Sequence, residues 1–172
     1  CLLSYALMER LDEIAAANPH RARVINKATA TSLIRDDNGA VIGVEYTDKS
    51  GAQLKEYGSV ILATGGFGAD FSDTSLLQSV EEKWKSLPTW QDVPKNLLPA
   101  LRSLPTTNGP HCTGDGIKLA LGAGATTTDL HCVQVHPTGI VDPRDPSAKV
   151  KWLCAEALRG HGGVLIDKDG NR

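Results

Sequence analysis

Ser59-Val60-Ile61-Leu62-Ala63-Thr64-Gly65-Gly66-Phe67-Gly68 is the stretch whose reading decides the fold. From Ser59 to Ala63 it is a nearly continuous apolar run, the pattern of a strand buried on both faces of a sheet. The run empties into small residues and glycines, which bring backbone amides close to a bound group with no Cβ in the way. On pattern alone a plain strand-to-helix turn is the commoner reading, and a glycine pair by itself does not decide between the two.

Upstream of this run the periodicity is that of strands. Val24-Ile25, Ala28 to Ile34 and Val41 to Tyr46 are short runs rich in branched residues. Asp36-Asp37-Asn38-Gly39 separates two of them and is a strong hairpin signal, because Asn-Gly tolerates positive φ. Lys49-Ser50-Gly51 makes a second turn before Gln53 to Tyr57. Together these give a small antiparallel meander, a β insertion in a mixed α/β protein. Before the meander, Leu3, Leu7, Leu11 and Ile14 form one apolar stripe on a helix that Asn18-Pro19 ends, and that stripe reads as core packing. The chain opens with Cys1, in the middle of this helical pattern, as a piece of something longer would.

Downstream, Asp73 to Lys85 reads as a helix capped by Ser72 or Asp73, with Leu76, Leu77 and Val80 on one face. Prolines at 88, 94, 99, 105 and 110 argue against long regular elements there, with at most a turn of helix at Leu97, Leu98 and Leu101. Trp84 and Trp90 read as packing residues. Thr113-Gly114-Asp115-Gly116 leads into a helical run from Ile117 to Ala123, with Thr113 as its cap. Asp115 near the positive helix end either helps frame a pocket for polar ligand atoms or merely caps the helix. Thr126 to Leu130 and Val164 to Ile166 read as strands, the latter ending in the turn Asp167-Lys168-Asp169-Gly170.

Composition narrows the function. A length of 172 residues fits one domain, or one domain and a piece of another. With 18 basic and 20 acidic residues the net charge is −2, which leaves no electrostatic footprint for nucleic acid or an anionic membrane. No apolar run approaches the roughly 18 to 20 residues that span a bilayer. Glu9, Arg10, Asp12 and Glu13 follow the apolar opening too closely for a secretory signal. The four scattered cysteines form no Cys-x-x-Cys pair and read as reduced thiols in an intracellular protein, with no metal site.

The chemistry-bearing residues lie late in the chain. His131-Cys132-Val133-Gln134-Val135-His136-Pro137-Thr138 is followed by Ala155-Glu156-Ala157-Leu158-Arg159-Gly160. Glu156 and Arg159 are three apart and share a face in a helical turn. Exposed, they are a surface ion pair worth roughly 0 to 1 kcal/mol. Buried, they are a proton wire in which the carboxylate accepts and the guanidinium relays. His136 taken alone is more often a satisfied core histidine than a ligand.

Four segments in order resemble the flavoprotein subunit of the fumarate reductase and succinate dehydrogenase family, most of all its soluble eukaryotic fumarate reductases. They are Val60 to Gly68, Thr113 to Gly116, Gln134 to Thr138, and Glu156 to Gly160 with Gly162-Gly163. Each alone is unspecific; the ordered set is not. The resemblance implies that residues 1–132 are the C-terminal part of a Rossmann-like FAD-binding domain, with the meander at 23–60 and FAD-contacting turns at 63–68 and 113–116. Residues 133–172 would begin a substrate-capping domain. It further implies that Ala63, Thr64, Gly65 and Asp115 approach FAD, that His136 and Glu156 bind substrate, and that Glu156 and Arg159 deliver a proton. The reaction implied is hydride transfer from reduced flavin to fumarate, giving succinate. Two departures stand out: Ala155 replaces a threonine of many members, and no Gly-x-Gly-x-x-Gly turn opens the chain. An arginine donor and the residues for the second carboxylate are expected beyond Arg172, so the chain is expected to be an inactive internal fragment. The electron donor is left open, NADH through another domain or protein being one candidate. Urocanate or enoate reductases, amino-acid oxidases and a non-catalytic α/β module are the alternatives.

Overall fold

The structure, a computed structural model, describes residues 2–87, 101–136 and 138–172. It consists of two compact units, Cys1–Ile61 and Leu62–Arg172.

The first unit holds a helix and the meander. Helix α1 (Leu2–Ala17) ends where expected, Asn18 closing the last turn on the Ile14 carbonyl. Its apolar stripe is not core packing. No α1 residue is buried, and Leu2, Leu3, Leu7 and Leu11 all face solvent, because no described element packs against the helix. Strands β1 (Thr29–Arg35), β2 (Val41–Thr47) and β3 (Gln53–Tyr57) form an antiparallel sheet in the order β1-β2-β3. Val24-Ile25 is exposed loop and takes no part in it.

Both hairpin turns are built the same way. The side chain of Asp36 accepts the amides of Asn38 and Ala40 at 2.9 and 2.8 Å, and Gly39 takes the positive φ of 85°. Asp48 likewise accepts Ser50 and Ala52, with Gly51 at 86°. An aspartate that folds back on its own backbone encodes the reversal without help from the sheet. Glycine alone takes the left-handed position; Asn38 does not.

The second unit is organised by α2 (Leu76–Lys85) and α3 (Asp115–Gly122). Leu77 and Val80 of α2 meet Leu101, which lies in a short 3-10 turn, Leu101–Ser103, and Phe67, Trp84, Leu104, Leu130 and Val133 close around them. The indole of Trp84 also donates to the His131 carbonyl at 2.6 Å. The α2 cap is Ser75, later than Ser72 or Asp73: its hydroxyl accepts the Leu77 amide and donates to the Asp70 carbonyl. Leu97, Leu98 and Trp90 lie outside the described residues. Two short strands, β4 (Gly139–Ile140) and β5 (Trp152–Leu153), pair antiparallel, and a helical turn α4 (Ala157–Gly160) follows.

Three expected strands are absent. Ser59 to Ala63 is extended but unpaired, with Ile61 89% exposed. Thr126 to Leu130 is a turn region in which Asp129 takes φ 54°. Val164 to Ile166 is extended, exposed and unpaired, although the Asp167 turn after it forms as the other two do. A strand exists only by pairing, and the described residues supply these runs with no neighbour. No described helix is long and apolar enough to cross a membrane.

Asp70 ties the second unit together. Only 4% exposed, it accepts the Ser72 amide and hydroxyl on one oxygen and the Lys118 ammonium on the other, at 2.6 Å. Burial pushes its carboxyl up, but the bonds from Lys118 and Ser72 outweigh that and hold it below the usual carboxylate range. Its stabilisation is therefore complete above the unfolded value of about 4 and is lost as pH falls through the lower folded value. Asp70→Asn is expected to cost about 1.5–3 kcal/mol at pH 7 in urea unfolding. The variant is also expected to lose stability less steeply than the native chain as pH falls below about 4, so that the gap between the two narrows.

Candidate functional site

The two glycine turns come together as a unit. The Gly114 amide donates to the Gly66 carbonyl at 3.0 Å, and the Ala69 amide donates to the Cys112 carbonyl at 2.9 Å. Lys118, one turn into α3, reaches back to Asp70 and fixes the helix against the first turn. Between Ala63–Gly65 and the start of α3 lies a hollow of about 270 Å³, walled further by Ala120 and Thr127. A Cβ at Gly116 would collide with the hydroxyl of Thr64, so this close approach needs glycine. Among the described residues none takes up the amides of Ala63, Thr64 or Gly65. Unspent amides over a helix start suit a polar or anionic group, and the space admits one portion of a dinucleotide.

Asp115 opens α3, exposed, and accepts the Thr113 hydroxyl at 2.9 Å. Thr113 is thus not the helix cap. That position belongs to Gly114, in the left-handed region and without a side-chain bond.

A second hollow of about 140 Å³ lies over Gly68, between Thr106–Asn108 on one wall and Val133–His136 on the other. His136 is partly buried. Its Nδ1 lies 3.0 Å from the Thr138 carbonyl, and its Nε2 lies 3.9 Å from Oε1 of Glu156. The same carboxylate oxygen accepts Arg159 Nη2 at 2.5 Å, and Glu156 stands at the N-terminus of α4. Imidazole, carboxylate and guanidinium therefore form one chain of contacts. The ion pair is of the exposed kind: Glu156 is 71% and Arg159 43% accessible. In this state water screens it, and it has the value of a surface pair.

A family model described as an FAD binding domain matches residues 4–172. The chain belongs to the FAD-binding domain family. The cofactor of this family is FAD, and the hollow at Ala63–Gly65 fits a part of it. Among relatives, the chain is 44% identical over 172 residues to a fumarate reductase of Schizosaccharomyces pombe, covering 99% of this chain and 30% of that one. It is 36% identical over 163 residues to fumarate reductase 1 of Saccharomyces cerevisiae, covering 94% and 30%. A solved structure, the open conformation of a flavocytochrome c3 fumarate reductase, superposes with a TM-score of 0.53 at 29% identity, over 84% of this chain and 21% of that one. The chain thus spans about 30% of the length of the curated relatives it matches.

Sequence reasoning missed Asp70 and Lys118, which are 48 residues apart and carry no shared pattern. It missed the Thr106–Asn108 wall because what that wall faces, Val133 to His136, lies far off in the chain. It also missed that Asp129, His131 and Cys132 bring one ligand atom each within 4.8 Å on one turn, though their closeness in sequence was a signal.

Gly116→Ala is expected to force Thr64 away and close the first hollow. Stability should fall by about 1–3 kcal/mol, and bound flavin per polypeptide, read from absorbance of the whole protein, should fall with it.

Proposed function

We propose that this chain is part of an FAD-dependent fumarate reductase, supplying a portion of the FAD site and one end of the substrate site. In this reading residues 1–132 belong to the FAD-binding domain and residues 133–172 begin the capping domain. Support comes above all from the approach of His136 to the Glu156–Arg159 pair, in the same compact unit that carries both glycine turns. The names of the two yeast relatives point the same way.

Reduced FAD, when bound, supplies a hydride to one alkene carbon of fumarate. Ala63, Thr64 and Gly65 hold the cofactor through backbone amides, and Gly116 lets the helix start come close. His136, anchored through Nδ1 against Thr138, turns Nε2 toward a substrate carboxylate. Glu156 accepts Arg159 on the oxygen that faces His136, so the guanidinium can hand a proton onward and recover one from the carboxyl. The second alkene carbon receives that proton and succinate results. The exposure of Glu156 in this chain means that the relay gains its value only when covered in the whole protein, where water no longer competes.

Three outcomes are expected. The isolated chain leaves reduced viologen unoxidised when fumarate is added; rapid oxidation would refute the division of the site. The whole protein oxidises the dye with fumarate and not with urocanate, and it takes up no oxygen with amino acids; the opposite pattern would favour the alternative acceptors. Glu156→Gln in the whole protein lowers kcat by about a hundredfold or more while leaving flavin content intact.

A further inference from the structure

We infer that Asn108 is a substrate-orienting residue, its amide held by Thr106 at the mouth of the hollow that His136 lines, where it binds a carboxylate of the acceptor. This rests on the reading above and extends it to a residue outside the His136–Glu156–Arg159 group.

The position of the amide is fixed from below. Thr106 is 6% exposed, and its backbone is held on both sides. Its amide donates to the Lys149 carbonyl and its carbonyl accepts the Lys151 amide, both at 2.7 Å, in an isolated parallel bridge with Val150. The Thr106 hydroxyl oxygen then accepts both the backbone amide and the side-chain Nδ2 of Asn108, each at 3.1 Å. The pair of hydrogen bonds fixes backbone and side chain together: one carboxamide N–H points down to Thr106. The second N–H and Oδ1 have no partner among the described residues.

Sterics give the same placement. A Cβ on Gly68 would fall 2.6 Å from Asn108 Nδ2, so the amide lies directly against a glycine backbone. An amide pinned in this way has lost its rotamer freedom before any ligand arrives, which lowers the entropic cost of using it.

The chemistry across the hollow is complementary to an anion. His136 and Gln134 line the facing wall, and the volume of about 140 Å³ holds roughly four to five waters, the size of a small carboxylic acid. A neutral N–H donor opposite the His136 ring adds a hydrogen bond to a carboxylate without adding a charge that must be desolvated.

The test uses the whole FAD-loaded protein, titrated with succinate and with the monoacid crotonate, read by the flavin absorbance shift and paired with fumarate kinetics. Asn108→Ala and the near-isosteric Asn108→Asp are expected to weaken succinate binding at least about tenfold. Both should raise KM for fumarate, and Asn108→Asp should be the worse because it sets a like charge against the ligand. Crotonate binding should change less than succinate binding, and flavin content should be unaltered. If the native protein binds succinate and the variants bind it equally well, the assignment to Asn108 fails while the fumarate reductase reading stands. If the variants lose flavin, Asn108 is structural and the assignment fails. If the native protein neither binds succinate nor reduces fumarate, both fall together.

Discussion

A buried carboxylate carries the second unit. Asp70 receives an ammonium from α3 and two bonds from Ser72, and its carbonyl receives the Ser75 hydroxyl that caps α2. One residue thus bonds to the start of α2 and to α3, beside the glycine-rich turn. Among the described residues the apolar cluster beside it has three buried side chains and a ring of partly buried ones. Removing one partner of a buried, satisfied charge pair costs more than the pair itself contributes.

Among the described residues neither hollow is lined by a strand. The first is made by two turns exchanging amide bonds across Gly66 and Gly114, the second by a two-bond bridge that holds Thr106 beside Lys149 and Lys151. Both are backbone arrangements, so they tolerate variety in the side chains around them. The acid–guanidinium pair is different. It is set by helical spacing alone, and its electrostatics change with whatever covers it.

What was legible in the sequence was local. The meander, its two turns, α2 within a few residues and the Glu156–Arg159 contact all follow from spacings of two to five residues. The failures share a cause. Val60-Ile61-Leu62, Thr126 to Leu130 and Val164-Leu165-Ile166 have strand composition, but composition cannot provide the neighbouring strand that makes one. The stripe on α1 failed likewise, since amphipathicity states which face wants covering and not that it is covered. In the site, the glycine turns and His136 were readable from their residue types. Asp70–Lys118 was not, because it joins segments 48 residues apart, and the local Thr106–Asn108 bonds were not, because the hollow they line exists only where that segment meets Val133 to His136.

The aspartate turn at Asp167 to Asn171 shows what local encoding can achieve by itself. Its five hydrogen bonds close within five residues, with Gly170 in the left-handed region, although the run before it has no partner among the described residues. A reversal that forms unaided is in place within the microseconds that hairpins need, well before distant segments meet. Any strand that later pairs with Val164 to Ile166 therefore finds the pleat already phased: which side chains point to which face has been decided in advance, and a slip by one residue is blocked at the bend.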